Sequence, residues 1–165
     1  MTYTLRRQRL VVTAGFLAVA IGWIGYIALV WGERWVWRGE DRANLVFGIG
    51  SVVGYAVLAV AAWSWFTWIE SSAVHLAGMA RVLRLFAVGN LFLAVGLAAI
   101  SYFWASQAVT QPYDGRSTIV SAAVYGFEFF GFLLAAIAFW DASSEVHSSH
   151  PRLSLPEGEL VAAER

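Results

Sequence analysis

Four long stretches of this chain carry almost no charge, and that constrains the fold more than any other feature. They run from about Leu10 to Trp31, Asn44 to Ile69, Leu85 to Ser106 and Ile119 to Trp140. Each is long enough to cross the roughly 30 Å hydrocarbon core of a bilayer as a helix of about 20 residues. Lipid offers no hydrogen-bond partners, so each stretch must satisfy its backbone internally, which a helix does. Composition agrees: 59% of the 165 residues are hydrophobic and only 13% are charged. A water-soluble domain averages about 25% charged residues. The expected fold class is therefore all-α, an integral membrane four-helix transmembrane bundle with short loops and a polar C-terminal tail.

Two units are expected: a four-span transmembrane domain over 1–141 and a polar cytoplasmic tail over 142–165. Boundary residues fit this division. Asn44, after Glu40-Asp41-Arg42, is placed to N-cap the second helix, Ser71-Ser72 to cap a segment leading into the third, and Ser117 or Thr118 to cap the fourth. Gln111-Pro112-Tyr113-Asp114-Gly115 reads as a turn. Trp31, Trp63, Trp65, Trp68, Tyr102, Trp104 and Trp140 lie near span ends, where amphipathic rings favour the headgroup level. In the tail, Ser143, Ser144, Ser148 and Ser149 with Pro151 and Pro156 cannot build a core. Pro156-Glu157-Gly158-Glu159-Leu160-Val161 has room for one short helical turn, and the tail reads as frayed or as a docking segment.

Arginine sets the orientation. Four spans put both termini on one side, together with Arg6, Arg7, Arg9, Arg81, Arg84 and Arg152. Arg34, Arg38, Arg42 and Arg116 lie on the other. Six against four places both termini in the cytoplasm. The first apolar run is too long for a signal-peptide core, and the small-x-small triplet Ala18-Val19-Ala20 sits in its middle, so an uncleaved anchor is expected. All 11 basic residues are Arg and none is Lys, a bias that fits a GC-rich coding sequence and a bacterial plasma membrane. Basic and acidic residues balance at 11 each, so charge supplies no argument for nucleic acid as a partner.

Chemistry-bearing residues are few. The absence of Cys excludes disulfides, thiolate metal sites and Cys nucleophiles. No His falls inside a span, which argues against haem held by this chain. His147 and His150 are spaced to share a metal but read as solvated residues of the tail, and no cofactor or metal is expected. No phosphate-binding loop, zinc-protease motif or Ser–His–Asp set is present.

Glu128 is the most informative residue. It lies near the middle of the fourth span, where an acidic side chain costs roughly 2.5–3.5 kcal/mol on insertion scales. Tyr55, Asn90 and Tyr125 are the polar residues at neighbouring depth and complete the set of intramembrane candidates. The carboxyl either binds a proton or cation, contacts a buried partner group, or hydrogen-bonds between helices and fixes their register. Gly50 and Gly54, a GxxxG pair, and Ala122 and Gly126, four apart, are helix-packing candidates, within the chain or between chains. Arg81 and Arg84 face one side at i, i+3, suited to lipid phosphates, to a pair with Glu70 or to anchoring alone. In the first loop, Trp35 and Trp37 amid alternating charges suit the membrane surface or a partner.

These features lead to an expectation of a non-catalytic accessory or scaffold subunit of a larger membrane complex, with a respiratory or other energy-transducing assembly as a candidate. Its expected partners are membrane lipids and other membrane subunits. The alternative is a small homo-oligomeric transporter or channel that uses Glu128 as its ion- or proton-binding carboxylate. A third reading, a membrane enzyme or a pigment- or quinone-binding subunit, rests on aromatic content alone.

Overall fold

The computed structural model describes the backbone of residues 2–33, 39–70, 76–110 and 115–153, and the side chains of residues 5–28, 42–70, 77–110 and 118–146. These residues form four helices: α1 (Thr2–Glu33), α2 (Gly39–Glu70), α3 (Leu76–Thr110) and α4 (Gly115–Leu153). There is no strand among the described residues. The apolar parts of the helices are 24, 29, 34 and 29 residues long, with mean hydropathy between 1.9 and 2.2. At 1.5 Å per residue the shortest reaches about 36 Å, enough to cross the hydrocarbon core. The protein is an integral membrane four-helix bundle.

The helices alternate in direction and pack in chain order, α1 on α2, α2 on α3 and α3 on α4. Three contacts fix this arrangement. Arg9 near the start of α1 meets Glu70 at the end of α2. Phe47 early in α2 packs on Gly96 late in α3. Arg84 early in α3 bonds Ser143 late in α4. No other pair of helix backbones approaches closely among the described residues. Side chains of α2 and α4 do meet, where Phe47 and Tyr125 lie with ring centroids 5.9 Å apart.

Burial follows from this order. Of the apolar windows, 44% of α2 and 50% of α3 are buried, against 6% of α1 and of α4. The buried residues of the two central helices are mostly small residues and leucines, including Leu58, Ala61, Ala62, Leu93, Ala94 and Leu97. The flanking helices present most of their apolar surface outward, as lipid requires.

The helix ends differ from the expected boundaries. α2 already begins at Gly39, so Asn44 lies inside it, half-buried, and does not cap it. α4 begins at Gly115, so Ser117 and Thr118 belong to its first turns, and Thr118 is buried. In both cases polar residues continue the helix instead of stopping it, because a helix keeps its backbone groups bonded to one another wherever it meets the lipid boundary. α4 likewise runs past Asp141 to Leu153, well into the segment expected as a tail. Ser71-Ser72, the first-loop residues Arg34, Trp35, Trp37 and Arg38, and the Pro156–Val161 segment lie outside the described residues.

Candidate functional site

The glycines of α2 form a seam with α3. A Cβ on Gly50 would lie 2.8 Å from the Phe92 carbonyl oxygen and 3.1 Å from Gly96 Cα. One on Gly54 would lie 2.7 Å from Leu93 Cγ and 3.0 Å from the Gly89 carbonyl oxygen. The reciprocal positions on α3 are as crowded, with Gly89 against Gly54 and Leu58, and Gly96 against Phe47. The GxxxG pair therefore serves contacts within the chain, where the missing side chains let two backbones touch.

The small pair on α4 does the same with α3. Ser101 Oγ donates to the Ala122 carbonyl at 2.9 Å, and a Cβ on Gly126 would rest 3.4 Å from that same hydroxyl. Ser101 is a residue the sequence did not single out. Its position inside an apolar span, at the depth of Ala122, is the signal that would have found it.

The intramembrane polar candidates do not converge. Asn90, only 7% exposed, donates its side-chain amide to the Phe86 carbonyl at 2.7 Å, one turn back in its own helix. Tyr55 stacks on Phe16 of α1 with centroids 6.3 Å apart, and Tyr125 packs edge-on against Phe47. Glu128 is on the outer surface of α4 and makes no hydrogen bond or ion pair with any described residue. The reason is rotational. At about 100° per residue, Glu128 lies some 200° around the helix from Gly126, which meets α3. The carboxyl is thereby carried away from the bundle. Its surroundings on that face are Phe127, 79% exposed, the exposed Val124, and Gly131, which has open space where a side chain would be.

The charged end of the bundle is organised differently from expectation. Glu70 pairs with Arg9, Nη1 to Oε2 at 3.0 Å, and not with Arg81 or Arg84. The Arg9 guanidinium also lies 4.1 Å over the Trp63 ring, about two turns before Glu70 on α2. The starts of α1 and of α3 both adjoin the end of α2, on different sides of it: Arg9 meets Glu70, whereas Arg84 is turned toward α4. There Arg84 Nε donates to Ser143 Oγ at 3.3 Å, with the guanidinium carbon 6.0 Å from the Trp140 ring centroid. Ser143 has 0% exposure, and Arg81 is exposed. Trp35 and Trp37, the remaining contact candidates, lie outside the described residues.

Among the described residues no three His, Asp or Glu side chains come close enough to hold a metal ion. The chemical capacity on display is that of one carboxyl facing outward at mid-span and of guanidinium groups at one end. Comparison with known proteins gives no match, whether to a family model, to a curated protein or to a solved structure.

Proposed function

We propose that this chain is a non-catalytic accessory or scaffold subunit of a larger membrane complex, with an energy-transducing assembly such as a respiratory complex as a candidate. The observation that carries this reading is Glu128, a carboxyl at mid-span on the outer face of α4 with no partner among the described residues. Facing lipid it carries the full insertion cost of roughly 2.5–3.5 kcal/mol. A neighbouring subunit's helix that offers a hydrogen-bond donor or a cation relieves that cost, and intramembrane ionisable groups pair in this manner.

A second feature supports it. Gly15, Gly22 and Gly25 of α1 are exposed and have nothing within 4 Å of where a side chain would begin. Glycine in a spanning helix favours close approach of another helix, and α1 keeps this surface free of contacts with the described residues of its own chain. In this reading the termini lie in the cytoplasm, because Arg6, Arg7, Arg9, Arg81 and Arg84 gather at the end of the bundle where the chain starts, and the membrane is a bacterial plasma membrane, in keeping with a basic set that is all Arg. If the reading holds, the native protein purifies in mild detergent with other membrane proteins at fixed stoichiometry. Recovery as a monomer free of partners contradicts it.

The alternative is a homo-oligomeric transporter or channel in which Glu128 binds an ion or proton between copies. The outward placement of Glu128 suits an interface between copies better than a path through one bundle. Asn90 is committed to its own helix, so no row of polar groups accompanies the carboxyl among the described residues. This alternative requires Glu128→Gln to abolish flux in proteoliposomes at unchanged expression.

A further inference from the structure

We propose that the groove between α3 and α4, at the arginine-bearing end of the bundle, is a binding site for one anionic phospholipid, its phosphate held by Arg84 with Arg81 and its acyl chain lying along the groove. The groove is about 210 Å³ in volume and is walled by Ala87, Val88 and Leu91 of α3 and by Leu133, Ile137 and Trp140 of α4. Its walls are apolar over the depth that the acyl region of a bilayer occupies.

The polar end of the site lies where a headgroup would. Arg81, Arg84, Val88 and Leu91 succeed one another at three- and four-residue spacing, so they form one stripe along α3. The stripe passes from two guanidinium groups into the groove without leaving the same helix face. Arg84 is held in place from α4: its Nε donates to the wholly buried Ser143 hydroxyl, and its guanidinium carbon is 6.0 Å from the Trp140 ring centroid. That bond uses one N–H and leaves both terminal nitrogens without a hydrogen bond among the described residues. A planar guanidinium with two free nitrogens matches a phosphate bidentately. Trp140 supplies the ring that belongs at headgroup depth. Asp141 also lines the groove. Its carboxylate and that of Glu145, one turn further along α4, oppose an anion, so the preference rests on the geometry of the Arg84 fork and not on a surplus of positive charge.

The test uses the full-length protein, delipidated in mild detergent and titrated with dioleoyl phosphatidylglycerol or dioleoyl phosphatidylcholine, with bound lipid read by native mass spectrometry. The wild type should bind one phosphatidylglycerol at least about tenfold more tightly than phosphatidylcholine, the margin expected of charge-assisted hydrogen bonds. Arg84→Gln should remove that preference, and Arg84→Lys should keep part of it through charge without the planar fork. Ile137→Trp, which fills the groove and leaves the arginines in place, should weaken both lipids and so decides the matter even where Arg84→Gln fails to fold. The double change Arg6→Gln and Arg7→Gln, at the same end but on α1, should alter neither. Equal affinity for the two lipids overturns the proposal. So does a preference that survives Arg84→Gln, one that follows Arg6 and Arg7, or binding unchanged by Ile137→Trp.

Discussion

Gly50 of α2 lies against Gly96 of α3, so close that a methyl group on residue 50 would stand 3.1 Å from Gly96 Cα and 2.8 Å from the Phe92 carbonyl oxygen. Both neighbours are backbone, which cannot turn aside as a side chain end can. The pair fixes the separation of the two central helices, and the outer helices are placed from these two.

Gly50→Ala should therefore destabilise the bundle by about 1–3 kcal/mol, the usual cost of forcing extra volume into a packed interior, even though Ala is the better helix former by about 1 kcal/mol. Gly22→Ala on α1 meets open space and should be neutral or slightly stabilising in the isolated chain. Reversible unfolding in mixed micelles, followed by helical circular dichroism, compares the two.

The number of spans was legible because length and freedom from charge decide it without reference to neighbours. The GxxxG pair Gly50 and Gly54 was legible as a packing surface. Its opposite, Gly89 and Gly96, was not, because Gly/Ala-rich spans offer many equivalent small residues. Glu128 was legible by depth but not by rotation. A spanning helix is apolar on every side, so no polar stripe marks which face meets the bundle, and the face follows only from where Gly126 and Ala122 dock. A pair with Glu70 was one of three readings of Arg81 and Arg84, and Arg9 was not among its candidates, because the sequence does not say which side of α2 Glu70 faces; it faces α1. Helix ends were missed at Asn44 and beyond Asp141 for one reason: polar residues stop a helix at a lipid boundary no more than they stop one in water.

Arg9 joins α1 to α2 by an ion pair with Glu70 and by stacking over Trp63. Arg9→Gln should loosen this end by about 1–2 kcal/mol, combining a partly exposed ion pair with a cation–π contact. Arg9→Lys should recover only part of the loss, since a lysine lacks the planar face that stacks. Glu70→Gln should cost less than Arg9→Gln because the Trp63 contact remains. Unfolding free energies of the three variants, with Arg9→Gln the most destabilised, check the assignment.

Ser143 holds the extended end of α4 to α3. Ser143→Ala removes the acceptor for Arg84 Nε and should cost about 1 kcal/mol. Ser143→Leu forces volume into a site with no exposed surface and should cost more, about 1–3 kcal/mol. Hydrogen exchange of residues 141–146 should speed up in both variants, with exchange in the α2–α3 seam unchanged.

Because Glu128 bonds to nothing among the described residues, Glu128→Leu should leave the isolated protein as stable as the wild type. An intrachain register role predicts the opposite, a loss of the kind that follows removal of one member of an interhelical bond, about 0.6–2 kcal/mol.

Whether Glu128 marks a contact with another subunit is decided by parallel affinity purification of tagged wild-type and Glu128→Leu protein in mild detergent, with mass spectrometry of what each retains. The expected result is stoichiometric membrane partners on the wild type, and their loss from the variant with its own folding intact. Retention of the same partners at the same stoichiometry by Glu128→Leu, or a wild type that purifies alone, would contradict it.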